Sequence, residues 1–354
     1  MEIKITKTAA CKAKPNEDSL GFGQHFTDHM FIMDWSKDAG WHDARIVPYG
    51  DLCLSPAATV FHYGAEIFEG MKAYRGVDGK VRLFRPEENF KRMNNSAERM
   101  SLPQFDGDFV LGALEKLLEM ELDWVPHAPN TSLYIRPFEF AVDPQLGVHG
   151  YHNCMFVIIC SPVGNYYKEG LAPVKIMIET EDVRAVRGGT GFAKCGGNYA
   201  ASQRAGSRAE ELGYSQVLWL DGVERRYIEE VGSMNVMFKI GGKVVTPKLT
   251  GSVLPGITRK SCIELCKNWG VEVEERLLSV DELVGAIEDG TLEEAWGTGT
   301  AAVVSPIGEI FYNGKHHVVC GGKIGAFTQR LFDTLTGIPW GRAADEHGWT
   351  VEIG

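Results

Sequence analysis

Apolar and polar positions along the chain predict both strands and helices. Segments 59–68 and 80–86 have the pattern of extended chain, and a VDGK turn leads into the second of them. Apolar residues then recur every three or four positions in DGDFVLGALEKLLEMELDW, which predicts a helix capped by Asp108. TSLYIRPFEFAV and NCMFVIICSPVG are two further strand candidates.

The pattern changes at GNYYKEGLAP, where glycine, proline and charge cluster. Beyond it, VKIMIET alternates as a strand and NYAASQRAGSRAEELGY has the composition of a helix. Hairpins are predicted to turn at Asp221-Gly222 and at Gly241-Gly242, and 258–269 is helical after Pro-Gly. Mixed strands and helices with several hairpins favour an α+β fold. The predicted domains are 1–163 and 173–354, joined by a linker at 164–172.

Composition narrows the class of protein. A net charge of −11 argues against a nucleic-acid or anionic-membrane partner, because both need a basic face. The longest apolar run, CMFVIIC, is far shorter than the roughly 20 residues of a membrane span. The N-terminal segment lacks the apolar core of a signal peptide, so we expect a cytoplasmic protein. The eight cysteines form no CxxC pair or zinc-like cluster, which predicts reduced thiols and no metal site.

A lysine stands among glycines in GGTGFAKCGGNYAAS, residues 188–202. Lysines in glycine-rich loops are commonly surface residues. A lysine amine also attacks aldehydes, and small neighbours leave room beside Lys194 for a bulky ligand. No G-x-G-x-x-G follows a strand and no Walker sequence is present, so a nucleotide cradle is disfavoured.

Adjacent carboxylates and two turn segments offer further chemistry. Glu229 and Glu230 lie in YIEEVGSMNVMF, where strand geometry points them to opposite faces. One of them would be solvated and the other would face inward, although a solvated edge for both is the ordinary alternative. LPGITRKS and WGTGTAAVVSP provide N–H groups and hydroxyls that suit an anion.

Three arginines, Arg92, Arg136 and Arg184, are candidate anion partners, although most arginines are surface residues. Pyridoxal phosphate would use all of these groups. It needs a lysine for its aldehyde, an acid for its ring nitrogen, and N–H and arginine donors for its phosphate. Spacing alone does not bring the residues together, so the surface interpretations stay open.

Eight segments occur in the order found in branched-chain amino-acid aminotransferases. They are FHYGAEIFEGMKAYR, RLFRPEENFKRM, LYIRPF, CSPVGNYY, KCGGNYAAS, EEVGSMNVMF, LPGITR and GTGTAAVVSP. The chain resembles this family from about residue 30 to the C-terminal GWTVEI. The resemblance implies a two-domain fold type IV pyridoxal-phosphate enzyme, with the cofactor between the domains, in a homodimer. It also implies reversible amino transfer between L-leucine, L-isoleucine or L-valine and 2-oxoglutarate.

The resemblance assigns roles to individual residues. Lys194 would bind the cofactor's aldehyde covalently, Tyr199 its phenolic oxygen, and Glu230, rather than Glu229, its ring nitrogen. The implied phosphate ligands are Arg92, Ile257, Thr258 and Thr300. The implied substrate-binding residues are Tyr63, Phe68, Tyr134, Arg136, Tyr166, Thr300, Ala301 and Ala302. Leu146 and Val148 would lie in a loop that reaches the partner subunit's site.

One departure from the family pattern is visible. Some members carry CxxC after the GTA turn, whereas this chain has Ala302 and Ser305 there, so no redox switch of that kind is expected. D-amino-acid transamination and aminodeoxychorismate cleavage are competing activities of the same fold type, and a catalytically silent relative is a third alternative. The presence of Lys194 together with Glu230 argues against the silent relative.

Overall fold

The computed structural model describes residues 1–164 and 171–354. The strands are β1 (Lys4–Ile5), β2 (His29–Ser36), β3 (Gly40–Pro48), β4 (Glu66–Phe68), β5 (Met71–Arg75), β6 (Val81–Phe84), β7 (Ser132–Ala141), β8 (Asn153–Val163), β9 (Val174–Ile178), β10 (Gln216–Leu220), β11 (Ile228–Val231), β12 (Met234–Ile240), β13 (Lys243–Pro247), β14 (Val273–Arg276), β15 (Leu292–Gly299), β16 (Val303–Tyr312), β17 (Lys315–Val318) and β18 (Thr350–Ile353). The helices are α1 (Thr59–Tyr63), α2 (Pro86–Met100), α3 (Gly107–Met120), α4 (Gly196–Glu211), α5 (Ile257–Asn268), α6 (Val280–Glu288) and α7 (Ala326–Gly337). Short 3-10 turns occur at Glu17–Ser19, Leu122–Trp124 and Cys320–Gly322. Among the described helices, none has both the length and the apolar character needed to cross a membrane.

The chain forms two compact units. The first comprises Met1–Tyr166, Ala193–Gly196 and Gly337–Gly354, and the second comprises Tyr167–Phe192 and Gly197–Thr336. The four residues around Lys194 therefore pack within the first unit, although the chain on both sides of them packs within the second. Most of the linker predicted at 164–172 lies outside the described residues, so that boundary stays a prediction.

The first unit is a mixed sheet with helices packed on it. Its strand order is β1-β3-β2-β8-β7-β5-β6-β18, and β4 pairs with β7 beside β5. Every neighbouring pair is antiparallel except β1 and β3. Apolar residues recur at helical spacing along α2 and α3 and so form one side of each helix. These sides are buried against the sheet, which excludes water from the core. They contribute Phe90, Met93, Ala97, Val110, Leu114, Leu117 and Leu118.

Two local predictions in the first unit were wrong. Residues 59–63 form the helix α1 rather than a strand, and Gly64 ends it with the left-handed φ of 58° that glycine adopts readily. The residue that caps α3 is Asp106, not Asp108. The Asp106 carboxylate accepts hydrogen bonds from the backbone N–H groups of Asp108 and Phe109, at 3.0 and 3.2 Å. The predicted strands β6, β7 and β8 are confirmed.

The second unit contains a sheet with the order β11-β10-β9-β16-β15-β12-β13-β14, with β17 paired to β16. Because β11 also pairs with β12, six of its strands form a closed circuit. The β12–β13 hairpin turns at Gly241 and Gly242, as predicted, with φ values of 55° and 80°. The β10–β11 hairpin is also confirmed, but its connection spans 221–227 because the Asp221 carboxylate accepts four backbone N–H groups there.

Candidate active site

The backbone around Lys194 is fixed by hydrogen bonds within the first unit. The backbone N–H of Phe68 donates to the carbonyl oxygen of Lys194 at 3.0 Å, and the N–H of Lys194 donates to Ser96 Oγ at 2.9 Å. The N–H of Gly196 donates to Glu66 Oε1. These bonds attach the lysine-bearing segment to β4 and α2, so the position of its side chain is defined by elements far away in sequence.

The Lys194 side chain is half-buried beside an aromatic ring and a carboxylate. Its Nζ lies 4.8 Å from the centroid of the Phe68 ring, and its charge interacts with Glu69. The Arg136 guanidinium lies 4.6 Å from the centroid of the same ring and donates to the Tyr134 hydroxyl at 3.0 Å. The structure thus brings together four residues that the sequence assigned to the site: Lys194, Phe68, Tyr134 and Arg136.

Glu69 is a residue of this cluster that the sequence analysis missed. It is 0% exposed, and its carboxylate accepts from Arg92 Nε at 2.7 Å and Arg92 Nη2 at 2.9 Å. Asn89 Nδ2 donates to it at 2.8 Å. Burial alone would raise the pKa of Glu69, but Arg92, Lys194 and Asn89 together hold it below its ordinary value. Glu69 therefore fixes the plane of the Arg92 guanidinium, and its place in the FEGMKAYR motif was the available signal.

We expect Glu69→Gln to destabilise the protein at neutral pH and to make its free energy of unfolding depend less on pH in the acidic range. Removing one partner of a buried ion pair typically costs about 3–5 kcal/mol, because the other charge is left uncompensated. The folded-state pKa of Glu69 lies below its unfolded value, so its contribution is present above the unfolded pKa and is lost as pH falls through the folded pKa. Denaturant unfolding at neutral and mildly acidic pH measures both effects.

Glu139 provides a matched control, because its pKa is shifted in the opposite direction from that of Glu69. It is also 0% exposed in the first unit, and neither of its carboxylate oxygens has a hydrogen-bond partner among the described residues. Burial raises its pKa well above the ordinary value, so its stabilising contribution is lost as pH rises. Glu139→Gln should therefore leave the protein equally stable or more stable at neutral pH. Equal losses in the two variants would contradict a specific role for the Glu69–Arg92 pair.

Tyr63 holds the loop that contains Leu146 and Val148. The backbone N–H of Gly147, which has a φ of 102°, donates to the Tyr63 hydroxyl at 2.7 Å. The side chains of Leu146 and Val148 on either side are 63% and 89% exposed. One hydrogen bond within the chain thus connects Tyr63 to this loop. Tyr166, the remaining predicted aromatic residue, lies outside the described residues.

In the second unit, Glu230 lies within a dense hydrogen-bond network. It is 3% exposed, and its Oε1 accepts from Asn235 Nδ2 at 3.0 Å and from the N–H of Leu254 at 3.1 Å. Its Oε2 lies 2.7 Å from Arg184 Nε. The structure therefore connects Glu230 to the LPGITR segment, and it places Arg184 against a carboxylate of the protein itself.

A row of cross-strand neighbours leads from Glu230 to a helix N-terminus. Glu230 is paired with Asn235 on β12, which is paired with Thr298 on β15. Asn235 also contacts the α5 start, where a side chain on Gly256 would meet its Oδ1. No side chain caps α5, and the buried Thr298 hydroxyl has no partner among the described residues. This side of the sheet therefore presents donors for which the described residues supply no side-chain partner.

The other predicted residues of the second unit are half-buried or buried. Ile257 and Thr258 form the first turn of α5, and Tyr199 lies in the first turn of α4. Thr300, Ala301 and Ala302 form the turn between β15 and β16 and are half-buried.

The structure buries both adjacent glutamates, whereas the strand pattern suggested that at least one would be solvated. Glu229 is 6% exposed and accepts a hydrogen bond from Ser252 Oγ. It borders a cavity of about 160 Å³ that Arg187 and Lys248 also line. Burial raises the pKa of Glu229, with Ser252 and Arg184 offsetting part of the increase. The two carboxylates therefore have different surroundings, and Glu230 alone faces the Asn235 row.

Two of the glycines around Lys194 have a different role from the clearance suggested by the sequence. A side chain on Gly191 would lie 2.2 Å from the carbonyl oxygen of Ser252, and one on Gly196 would lie 2.2 Å from Glu66 Oε1. Both glycines therefore allow close packing against other parts of the protein. Gly197 has open space around its Cα.

Known proteins are similar to this chain in sequence and in fold. The amino-transferase class IV family model matches residues 66–310, and the chain belongs to that family. The chain is 54% identical over 351 residues to branched-chain-amino-acid aminotransferase 2 of Bacillus subtilis, covering 99% of this chain and 97% of the relative. Within this family, the chain therefore belongs to the branched-chain amino-acid aminotransferases.

Solved structures agree with this placement. The Escherichia coli branched-chain amino acid aminotransferase is 28% identical, with a TM-score of 0.78, over 92% of this chain and 99% of that one. A branched-chain amino acid aminotransferase from T.th., solved with pyridoxamine 5'-phosphate, is 26% identical, with a TM-score of 0.76, over 91% and 98% of the two chains.

Proposed function

We propose that this protein transfers the amino group reversibly between L-leucine, L-isoleucine or L-valine and 2-oxoglutarate. The observation that carries the proposal is the clustering of the Lys194 amine, the Phe68 ring and the Arg136 guanidinium in the first unit. An amine beside an apolar wall and a cation suits a substrate that has a carboxylate and an apolar side chain. The 54% identity to a branched-chain aminotransferase supports the same substrate class.

Class IV aminotransferases use pyridoxal phosphate, and the donors of this chain fit that group. The buried Thr298 hydroxyl lacks a partner among the described residues, and α5 begins without a side-chain cap. We propose that Glu230 holds the ring nitrogen, Tyr199 the phenolic oxygen, and Lys194 the aldehyde carbon. The proposed phosphate ligands are Arg92, Ile257, Thr258 and Thr300.

The cofactor supplies an aldehyde that accepts an amino group and a ring that accepts electrons from the substrate. The protein would supply the proton transfers. Lys194 Nζ would take the proton from the Cα of the amino-acid substrate. In the reverse half of the exchange, it would give a proton to the Cα of the amino acid formed from the 2-oxo acid, as a positioned acid–base group does. Glu230, held by Arg184, Asn235 and the Leu254 N–H, would keep the ring nitrogen protonated.

The two substrates make different demands on one pocket. Phe68 and Tyr134 would form apolar walls for the branched side chains, with Ala301 and Ala302 leaving room. Arg136 and the hydroxyls of Tyr134, Tyr63 and Tyr166 would serve carboxylates, including the second one of 2-oxoglutarate. A buried arginine nitrogen that lacks an acceptor among the described residues supports this role.

We also propose a homodimer in which the Leu146–Val148 loop contributes to the partner's site. The support is the strong exposure of these two apolar side chains on a loop that Tyr63 fixes in place. The cytoplasm is the proposed compartment. All eight cysteines are free, which is the state that a reducing compartment maintains.

An assay with L-leucine and 2-oxoglutarate tests the proposed reaction directly. The expected result is formation of glutamate and the branched 2-oxo acid, with little turnover of D-alanine and no pyruvate release from aminodeoxychorismate. Preferential turnover of either alternative substrate would replace the proposal with the corresponding activity. Failure with all three, in protein that binds the cofactor, would also refute it.

A further inference from the structure

Asp143, His149 and His152 form a cluster of potential metal ligands in the first unit. One ligand atom from each lies within 4.8 Å of the ligand atoms of the other two. The two imidazole rings lie nearly parallel, with centroids 5.9 Å apart. The cluster occupies the connection between β7 and β8, and none of its members is assigned a role in amino transfer.

His149 is oriented in the way that is typical of a metal ligand. Its Nδ1 lies 2.9 Å from the carbonyl oxygen of Gly150, an arrangement in which Nδ1 donates and Nε2 keeps its lone pair. Metal-bound histidines usually make this kind of bond through their other ring nitrogen. His149 Nε2 is buried and has no hydrogen-bond partner in the described part of the chain. A buried polar atom left in this state is unfavourable, and coordination would offset that cost.

Asp143 supplies a fixed, negatively charged ligand. It is 3% exposed, and its carboxylate accepts from the N–H of His152 and from Asn153 Nδ2, both at 2.9 Å. Its carbonyl oxygen also accepts from the N–H of Thr59 at 3.1 Å, which attaches it to α1. No lysine or arginine within residues 1–164 and 171–354 forms an ion pair with Asp143. A buried carboxylate without such a counterion favours a bound cation.

We propose that Asp143, His149 and His152 bind one divalent transition-metal ion of the Zn²⁺ or Co²⁺ class. Two imidazoles and one carboxylate are donors that this class prefers, whereas Mg²⁺ and Ca²⁺ prefer oxygen ligands. The exposed His152 gives access from solvent, and water would complete four-coordination. The sequence spacing, Asp-x5-His-x2-His, differs from the Cys/His spacings typical of zinc sites.

Because of the position of the cluster, a bound metal ion would also restrain a loop. Leu146 and Val148 lie between Asp143 and His149, so an ion held by the three ligands would close the loop that contains them. Tyr63 already fixes Gly147 in the middle of this loop. The ion would therefore make the loop more rigid, and this inference depends on the loop itself rather than on the proposed reaction.

Titration of the chelator-treated full-length protein with Co²⁺ tests the site without measuring activity. We expect one ion per chain with the strong visible absorbance of a four-coordinate site, and competition by Zn²⁺. His149→Ala and His152→Ala should each weaken binding at least tenfold. His316→Ala is the matched control, because His316 is an exposed histidine 2.9 Å from a single carboxylate, Glu309, and it should leave the titration unchanged.

The outcome is decisive in either direction. Absence of a stoichiometric site, or a titration that is unchanged in both His149→Ala and His152→Ala, would overturn the proposal. Because His152 is exposed, its replacement should preserve the fold, and the thermal unfolding of each variant without metal checks this. Metal binding that persists while leucine transamination fails would refute the proposed function and leave the metal site intact.

Discussion

Replacing Lys194 with alanine is expected to abolish both the absorbance of lysine-bound pyridoxal phosphate and steady-state transamination. The variant loses the amine that binds the aldehyde and the base that moves the Cα proton. A positioned proton-transfer group alone contributes roughly 10²–10⁴-fold to the rate. The backbone bonds of Lys194 to Phe68 and Ser96 do not involve its side chain, so the fold should be retained.

Lys72 is the matched control for this prediction. It is a buried lysine in the first unit, and burial lowers its pKa to about 8, which also makes it a credible nucleophile. Lys72→Met keeps most of the length of the side chain without the amine, and it should retain the absorbance that borohydride reduction fixes to the protein. Absorbance that survives Lys194→Ala but disappears in Lys72→Met would transfer the covalent role to Lys72.

Glu230→Gln is expected to lower kcat by about 10²-fold or more, and also to lower stability, because Arg184 loses its buried charged partner. Glutamine keeps an oxygen that can accept from Asn235 and Leu254, but it has no negative charge to hold a proton on the ring nitrogen. The loss of one electrostatic stabiliser of a reacting group typically costs roughly 10²–10³ in kcat. Single-turnover kinetics with L-leucine, with KM determined separately, measures the effect.

Glu229→Gln is the control that separates the two neighbours. Glu229 is buried on the opposite face of β11 and accepts from Ser252 rather than from Asn235, so its replacement leaves the Glu230 contacts in place. We expect kcat close to that of the unmodified protein. A larger loss in Glu229→Gln than in Glu230→Gln would reverse the assignment of the ring-nitrogen ligand.

Local sequence signals predicted the elements whose geometry is decided locally. The Gly241-Gly242 turn is an example, because its positive φ values are accessible to glycine wherever the pair occurs. The short helix α1 was missed because apolar residues at 59–63 fit either period over so few positions. Asp106 and Asp108 are identical residues two positions apart, and composition does not show which of them caps the helix.

The site depends on contacts between residues that are distant in sequence. Arg92 was identified as an anion ligand, but its buried partner Glu69 is 23 residues away and appears only in the folded chain. Burial of Glu229 likewise depends on Ser252, from another part of the second unit. The family motifs indicated which residues to examine, whereas their hydrogen-bond partners required the structure.

The first unit is built from three separate stretches of the chain, which affects the order in which its parts are synthesised. Its edge strand β18 pairs with β6, yet it follows the whole second unit in the chain. A ribosome therefore completes the second unit before it supplies the last strand of the first. Domains usually fold in order during synthesis. Here the N-terminal unit would be finished last, so neither unit can be separated from the other by a single cut in the gene.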